Sequence, residues 1–262
     1  MTNAASPRPT EGVPTDWRKL AFAGGVLYLM TFAFSIPAVF LLDPVLRDPN
    51  YIVSGGADTQ VLLGAFFDLV TALACIGTAV ALFPVIKRQS EAASLGFVTT
   101  RIFEAGIIVI GVASLLAVVA MRQAGGAAGT DTAAQVAVGQ ALVAVRDQTF
   151  LLGPGVMPGL NAALLGYVLY RSRLVPRVIP ALGLIGAPLF LAAAVATILG
   201  FNEQVSVWSG IAVVPIFLWE LSLGLWLTFK GFRPAAMAAL ASDSRSTDGQ
   251  AAPVPSGTIL AT

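Results

Sequence analysis

An all-α bundle of six membrane-spanning helices is the fold class this sequence predicts, and three observations predict it. Only 11% of the 262 residues are charged, against roughly 25% in an ordinary soluble domain, too few to cover a water-facing surface. The apolar residues come as long runs rather than as short amphipathic periods. Lys and Arg gather in alternate connections between those runs.

Taken in order, residues 1–16 (MTNAASPRPTEGVPTD) read as a polar, Pro-punctuated disordered tail. Trp17, Arg18 and Lys19 mark an interface, and the six-helix domain covers 17–233. Its spans are 18–42, 60–86, 93–121, 146–170, 178–201 and 206–230. Each supplies the roughly 20 residues that a 30 Å hydrocarbon core requires. The first apolar stretch, Leu20 to Leu42, is 23 residues long. A cleaved signal peptide has an apolar core of only about 7–15, so this stretch is expected to be retained as a span.

Residues 43–59 form a long acidic connection expected to cap one face. Residues 133–145 look helical, either as a surface helix or as a continuation of the fourth span. From Pro234 to Thr262 the chain is rich in Ala, Ser, Gly and Pro and reads as a second disordered tail.

Orientation follows from the basic residues. Arg18, Lys19, Lys87, Arg88, Arg171, Arg173, Arg177, Lys230 and Arg233 fall on one side, and only Arg47 and Arg122 fall on the other. The positive-inside rule then places both termini in the cytoplasm.

Several chemistries are excluded. There is no histidine, which removes His-based triads, imidazole metal sites and His proton relays. Cys75 is the single cysteine, so neither an intrachain disulfide nor a cysteine metal cluster forms. The net charge of +1 carries no nucleic-acid footprint. No cofactor, metal site or catalytic residue is expected; the lipid bilayer is the expected partner, and oligomeric state is left open.

The stretches LYLMTFAFSIPAVFLLDPVLRDPNYI, GADTQVLLGAFFDLVTALACIGTAVALFPVIKRQ, TTRIFEAGIIVIGV and LLGPGVMPGLNAALLGYVLYRSRLVPRVIP resemble a bacterial family of multispanning membrane proteins. That family is catalogued as a domain of unknown function (family 4386). The resemblance extends over about residues 18–233 and implies a helical fold in the bacterial inner membrane. It implies no activity and no site residues.

The charges inside the spans are the informative residues, because each costs about 2.5–3.5 kcal/mol at a helix centre unless it is paired, wetted or protonated. Rise per residue sorts them by depth. Arg101, Asn161 and Glu220 fall roughly 15 Å from the cytoplasmic boundary and Glu104 roughly 20 Å, a mid-membrane layer. Asp68, Arg146 and Asp147 form an outer charged layer.

Arg101 and Glu104, three residues apart, share a helix face. The expected pairs are Asp68 with Arg146, and Arg101 with Glu104 and Glu220. Arg146 and Asp147 point about 100° apart and serve different partners. Two arginines face four acids, so two acids are left over: Asp147, hydrated at the interface, and either Glu104 or Glu220. A surplus acid at that depth is the usual ingredient of proton or cation coupling.

Gly153, Pro154, Gly155, Pro158 and Gly159 interrupt the fourth span. The segment from Gly159 to Tyr170 is roughly 18 Å long, too short to cross alone, so the break lies within or at the edge of the hydrocarbon. Broken helices recur at transporter sites, although Pro and Gly are also common in ordinary spans.

Three functions compete. In a small-solute or proton- or cation-coupled transporter, Arg101, Glu104, Asn161 and Glu220 line a central cavity. In a non-catalytic scaffold or regulatory protein, the same charges only specify helix packing, as ion pairs and Asn often do. An intramembrane enzyme ranks last, since only Glu104 and Glu220 are available to it as paired carboxylates.

Overall fold

The computed structural model describes residues 16–54, 56–125 and 131–249, and they form helices without strands. The expected tail over 1–15, and the stretch 250–262 of the expected C-terminal tail, lie outside the described residues. The helices are α1 (Asp16–Leu41), α2 (Asp43–Arg47), α3 (Asp58–Ile86), α4 (Glu91–Gln123), α5 (Thr132–Leu152), α6 (Met157–Ser172), α7 (Val178–Ile198), α8 (Val207–Phe229) and α9 (Pro234–Gly249). Six stretches are long and apolar enough to cross a membrane, with α5 and α6 together making the fourth. This is a multi-pass membrane protein.

Local chemistry sets the helix ends. The Ser90, Asp131 and Ser206 side chains accept from the amides of Ala93, Ala133 and Ser209, capping α4, α5 and α8. At the other end of α8, Arg18 Nη2 donates to the carbonyls of Thr228 and Phe229, at 3.3 and 3.0 Å. A guanidinium suits a helix C-terminus, where carbonyls are left without intrahelical donors.

Neighbour packing closes a ring: α1 on α3, α3 on α4, α4 on α5 and α6, α6 on α7, α7 on α8, and α8 back on α1. Outward faces carry large exposed apolar side chains, such as Leu73, Val80, Ile110, Ile185 and Val214. In water such a surface would drive aggregation; against lipid it is the matching face. The α1–α8 seam is especially close. A Cβ on Gly25 would come within 2.5 Å of the Thr228 amide nitrogen and 2.8 Å of the Gly224 carbonyl oxygen.

The ring is filled unevenly along its axis. In the half holding the start of α1 and the end of α8, one continuous core includes Tyr28, Leu82, Phe97, Leu165, Trp219 and Leu223. At the opposite end a separate cluster of Leu42, Val45, Tyr51, Ile52, Val61 and Leu115 lies under the 43–59 connection. That connection is anchored, as expected of a cap. Arg122 Nη1 donates to Asp58 Oδ2 at 2.5 Å, Arg122 Nε donates to the Ser54 carbonyl at 2.9 Å, and the Tyr51 hydroxyl donates to Asp58 Oδ1 at 2.8 Å. Burial and that bond to Asp58 push the Tyr51 phenol up to about 12.

The structure decides one reading open between two alternatives, in favour of continuation into the fourth span, and changes another. Residues 133–145 are the first part of α5, one unbroken helix running to Leu152 and packed on α4, not a separate surface helix. Residues 234–249, read as part of a structureless tail, form α9, and its Met237 and Leu240 are buried in the large core. Ala-rich composition suits a helix as well as a linker, and the two apolar residues three apart share one face.

Candidate functional site

Helix spacing builds the mid-membrane cluster. Arg101 and Glu104 sit one turn apart on α4, facing Glu220 on α8 and Asn161 on α6. Arg101 is 2% exposed and forks between the two acids: Nη1 donates to Glu104 Oε2 and Nη2 to Glu220 Oε1, each at 3.1 Å. The planar guanidinium presents donors in a fixed fork, which is why an arginine can bridge two carboxylates. Asn161 Nδ2 donates to the same Glu104 Oε2 at 2.8 Å, and Thr100 Oγ1 donates to Asn161 Oδ1 at 2.5 Å.

Sequence reasoning missed three members of this cluster. The Arg101 guanidinium lies over the Tyr28 ring of α1 at 4.8 Å, a cation–π contact, and Nη1 reaches Cys75 Sγ of α3 at 3.6 Å. Thr100 completes the set. Tyr28 had a usable signal, being a tyrosine roughly 17 Å into its span rather than at an interface, where tyrosines usually sit. Cys75 had no signal beyond its apolar helix.

In the outer layer, Arg146 Nη2 lies 3.5 Å from Asp68 Oδ2, joining α5 to α3. Arg146 also stacks over the Phe150 ring at 4.6 Å. Asp147 points elsewhere, is exposed, and lines a separate cavity of about 330 Å³ with Asp48, Tyr51 and Gln140.

Both layers face one space. A cavity of about 210 Å³ is lined by Asp68, Arg146, Arg101, Glu104 and Glu220, together with Pro154 and Pro158 of the helix break. A second, of about 340 Å³, is lined by Pro154, Gly155, Pro158 and Glu220 and extends between α1, α7 and α8. Of the four mid-membrane candidates, three line the space. Asn161 does not; it stands behind Glu104 and holds it.

The break is a four-residue turn, Gly153 to Val156, between α5 and α6. Pro154 and Pro158 carry no amide hydrogen, so neither continues the helical ladder. Pro158 is thereby accommodated in the first turn of α6, where a free amide is not needed. Gly155 has a different reason: a Cβ there would lie 2.3 Å from the Leu151 carbonyl oxygen. Gly159 is a packing glycine, set against Leu191 and Phe190 of α7.

Arg101, Glu104 and Glu220 with all groups ionised carry a net charge of −1. Such a cluster can hold one proton or one monovalent cation. Among the described residues, no three His, Cys, Asp or Glu side chains gather as a metal site.

A family model described as "Domain of unknown function (DUF4386)" matches residues 23–231. No curated protein and no solved structure matches the chain.

Proposed function

The chain belongs to the DUF4386 family, and on that premise we propose that it is a small-solute or proton- or cation-coupled transporter of a bacterial plasma membrane, with both termini in the cytoplasm. One observation carries the reading: the charged cluster, the outer ion pair and the helix break all line one central space, which ends against a solid half of the bundle. Packing glue alone needs no such space. The excess of Lys and Arg at the end holding the start of α1 and the end of α8 supports the orientation.

The chemistry follows from Arg101. Its guanidinium ties α8, through Glu220, to α4 and its own neighbour Glu104. A proton or cation arriving at Glu220 competes with Arg101 for that carboxylate and weakens the α4–α8 tie. Glu104 keeps both Arg101 and Asn161, so the change is confined to the α8 side. The Gly153–Gly159 segment is then the hinge through which the α5 end moves relative to α6.

The competing scaffold reading draws on the Thr100–Asn161–Glu104 chain, which knits α4 to α6 by side-chain hydrogen bonds. Proton or solute flux in proteoliposomes separates the two. Wild type is expected to show flux above empty vesicles, Glu220→Gln to lose it, and Glu104→Gln to reduce it. Background flux from all three would leave the scaffold reading.

A further inference from the structure

The Glu220 carboxylate stands where the charged cavity adjoins a larger one whose other walls are mostly apolar. The two share Phe32, Ser35, Ile36, Phe150, Pro154, Pro158 and Glu220, so they adjoin along this wall. The larger cavity is bounded by the rings of Phe32, Phe150, Phe190 and Phe217; Phe32 and Phe217 meet edge to face with centroids 5.1 Å apart. Thr197, Gln204 and Ser209 supply its polar groups near the loop between α7 and α8. Glu220 Oε1 accepts from Arg101, whereas Oε2 accepts no hydrogen bond among the described residues. A carboxylate oxygen without a donor, in an aromatic chamber, is an incomplete arrangement.

We infer that this chamber takes a monovalent organic cation with an apolar body, its ammonium end at Glu220 and its body among the phenylalanines. The inference rests on the transport reading and names its cargo. Charge sets the sign and valence, because the cluster is one positive charge short. Glu104 Oε2 is already occupied by Arg101 and Asn161, and no three His, Cys, Asp or Glu side chains gather among the described residues, so the site offers a divalent metal few protein ligands. Aromatic faces attract organic cations, and such sites are a recurring means of holding quaternary ammonium groups. A neutral hydrocarbon would match the walls but leave the carboxylate facing apolar groups. The larger volume, about 340 Å³, lies at the lower end of the range of small-molecule pockets, roughly 300–1,000 Å³.

The test uses the full chain purified in detergent, with radiolabelled benzyltrimethylammonium as probe and empty micelles as the blank. Saturable binding to one site is expected, weakened at least tenfold in Glu220→Gln. Neopentylbenzene, the neutral isostere, is expected not to compete at a hundredfold excess. Ser35→Leu, which narrows the shared wall without removing a charge, is expected to weaken binding by a similar factor. Should Glu220→Gln fail to fold, the wild-type competition and Ser35→Leu decide.

Absence of saturable binding, equal displacement by the neutral isostere, or unchanged affinity in a folded Glu220→Gln protein would each overturn the inference. Parallel proton-flux measurements keep the two ideas apart. Glu220-dependent proton flux without organic-cation binding would keep the transport reading and sink this cargo. Binding without flux of protons or probe would keep the site and sink transport.

Discussion

Replacing Arg101 by Met removes the one positive charge that serves two buried carboxylates while keeping an unbranched side chain of comparable length. The guanidinium makes two contacts of 3.1 Å, to Glu104 and Glu220, and its own exposure is 2%. Hydrogen bonds to charged groups contribute about 1.5–3 kcal/mol each. Removing one partner of a buried pair typically costs about 3–5 kcal/mol, because the other charge is left uncompensated. Here two acids are left with one neutral donor, Asn161, between them. The expected loss is therefore about 3–5 kcal/mol. At about 2–4 °C per kcal/mol for a chain of this size, the apparent Tm in detergent should fall by roughly 6–20 °C. The combined Arg101→Met, Glu104→Gln, Glu220→Gln protein leaves no stranded charge and should recover most of that loss. Thermal unfolding followed by intrinsic tryptophan fluorescence measures both. A single variant within about 0.5 kcal/mol of wild type, a typical surface effect, would refute the view that Arg101 compensates these acids.

Three further outcomes are expected. Gly155→Ala drives a methyl group against the Leu151 carbonyl, 2.3 Å away; backbone rather than a movable side chain must yield, so a loss of about 1–3 kcal/mol should appear in the same unfolding assay. Asn161→Leu strips Glu104 of its 2.8 Å amide donor and Thr100 of one of its acceptors, and should cost about 1–3 kcal/mol while leaving cation binding at Glu220 within a few fold of wild type. In intact bacterial cells an impermeant thiol reagent should label Val205→Cys, whereas Glu91→Cys should react only after permeabilisation. Both positions are exposed and lie at opposite ends of the bundle, whereas Cys75 is buried. The reverse labelling pattern would invert the proposed topology.

The spans were legible because a hydrocarbon solvent demands long apolar helices and tolerates few exceptions. The exceptions were legible too. Counting residues from the basic boundaries placed Arg101, Glu104 and Glu220 at similar depth, and the structure has all three in contact. The same arithmetic placed Asp68 and Arg146 both toward the outer face, and they lie 3.5 Å apart. Depth is readable because helix rise is nearly constant. Azimuth is not, because it depends on how each helix is rotated against its neighbours. Hence Asn161, at the right depth, turned out to face Glu104 from behind rather than the cavity, and Tyr28 and Cys75 escaped notice. The α9 helix was hidden for another reason: a short Ala-rich segment is helical only when an apolar face finds a core to pack on.

Azimuth is also what makes the cluster more than a set of paired charges. Nothing in the depth count required the broken span, the outer ion pair and the Glu220 carboxylate to turn toward a common axis, yet each lines the same space. Below them the ring is filled by Trp219, Tyr28, Phe97 and Leu165; beside them lie the two cavities, with the cluster of Leu42, Val61 and Leu115 beyond. A charge at such a boundary meets polarisable rings on one side and room for a ligand on the other. Arg101 is fixed by Tyr28 and Glu104 on the packed side, and Glu220 is the member that fronts both cavities. On the proposed transport reading, a cation that draws Glu220 away from Arg101 acts on α8, and α8 packs against α1 and α7, which also line the larger cavity. On that reading, occupancy of the chamber and the position of its walls are coupled through one carboxylate.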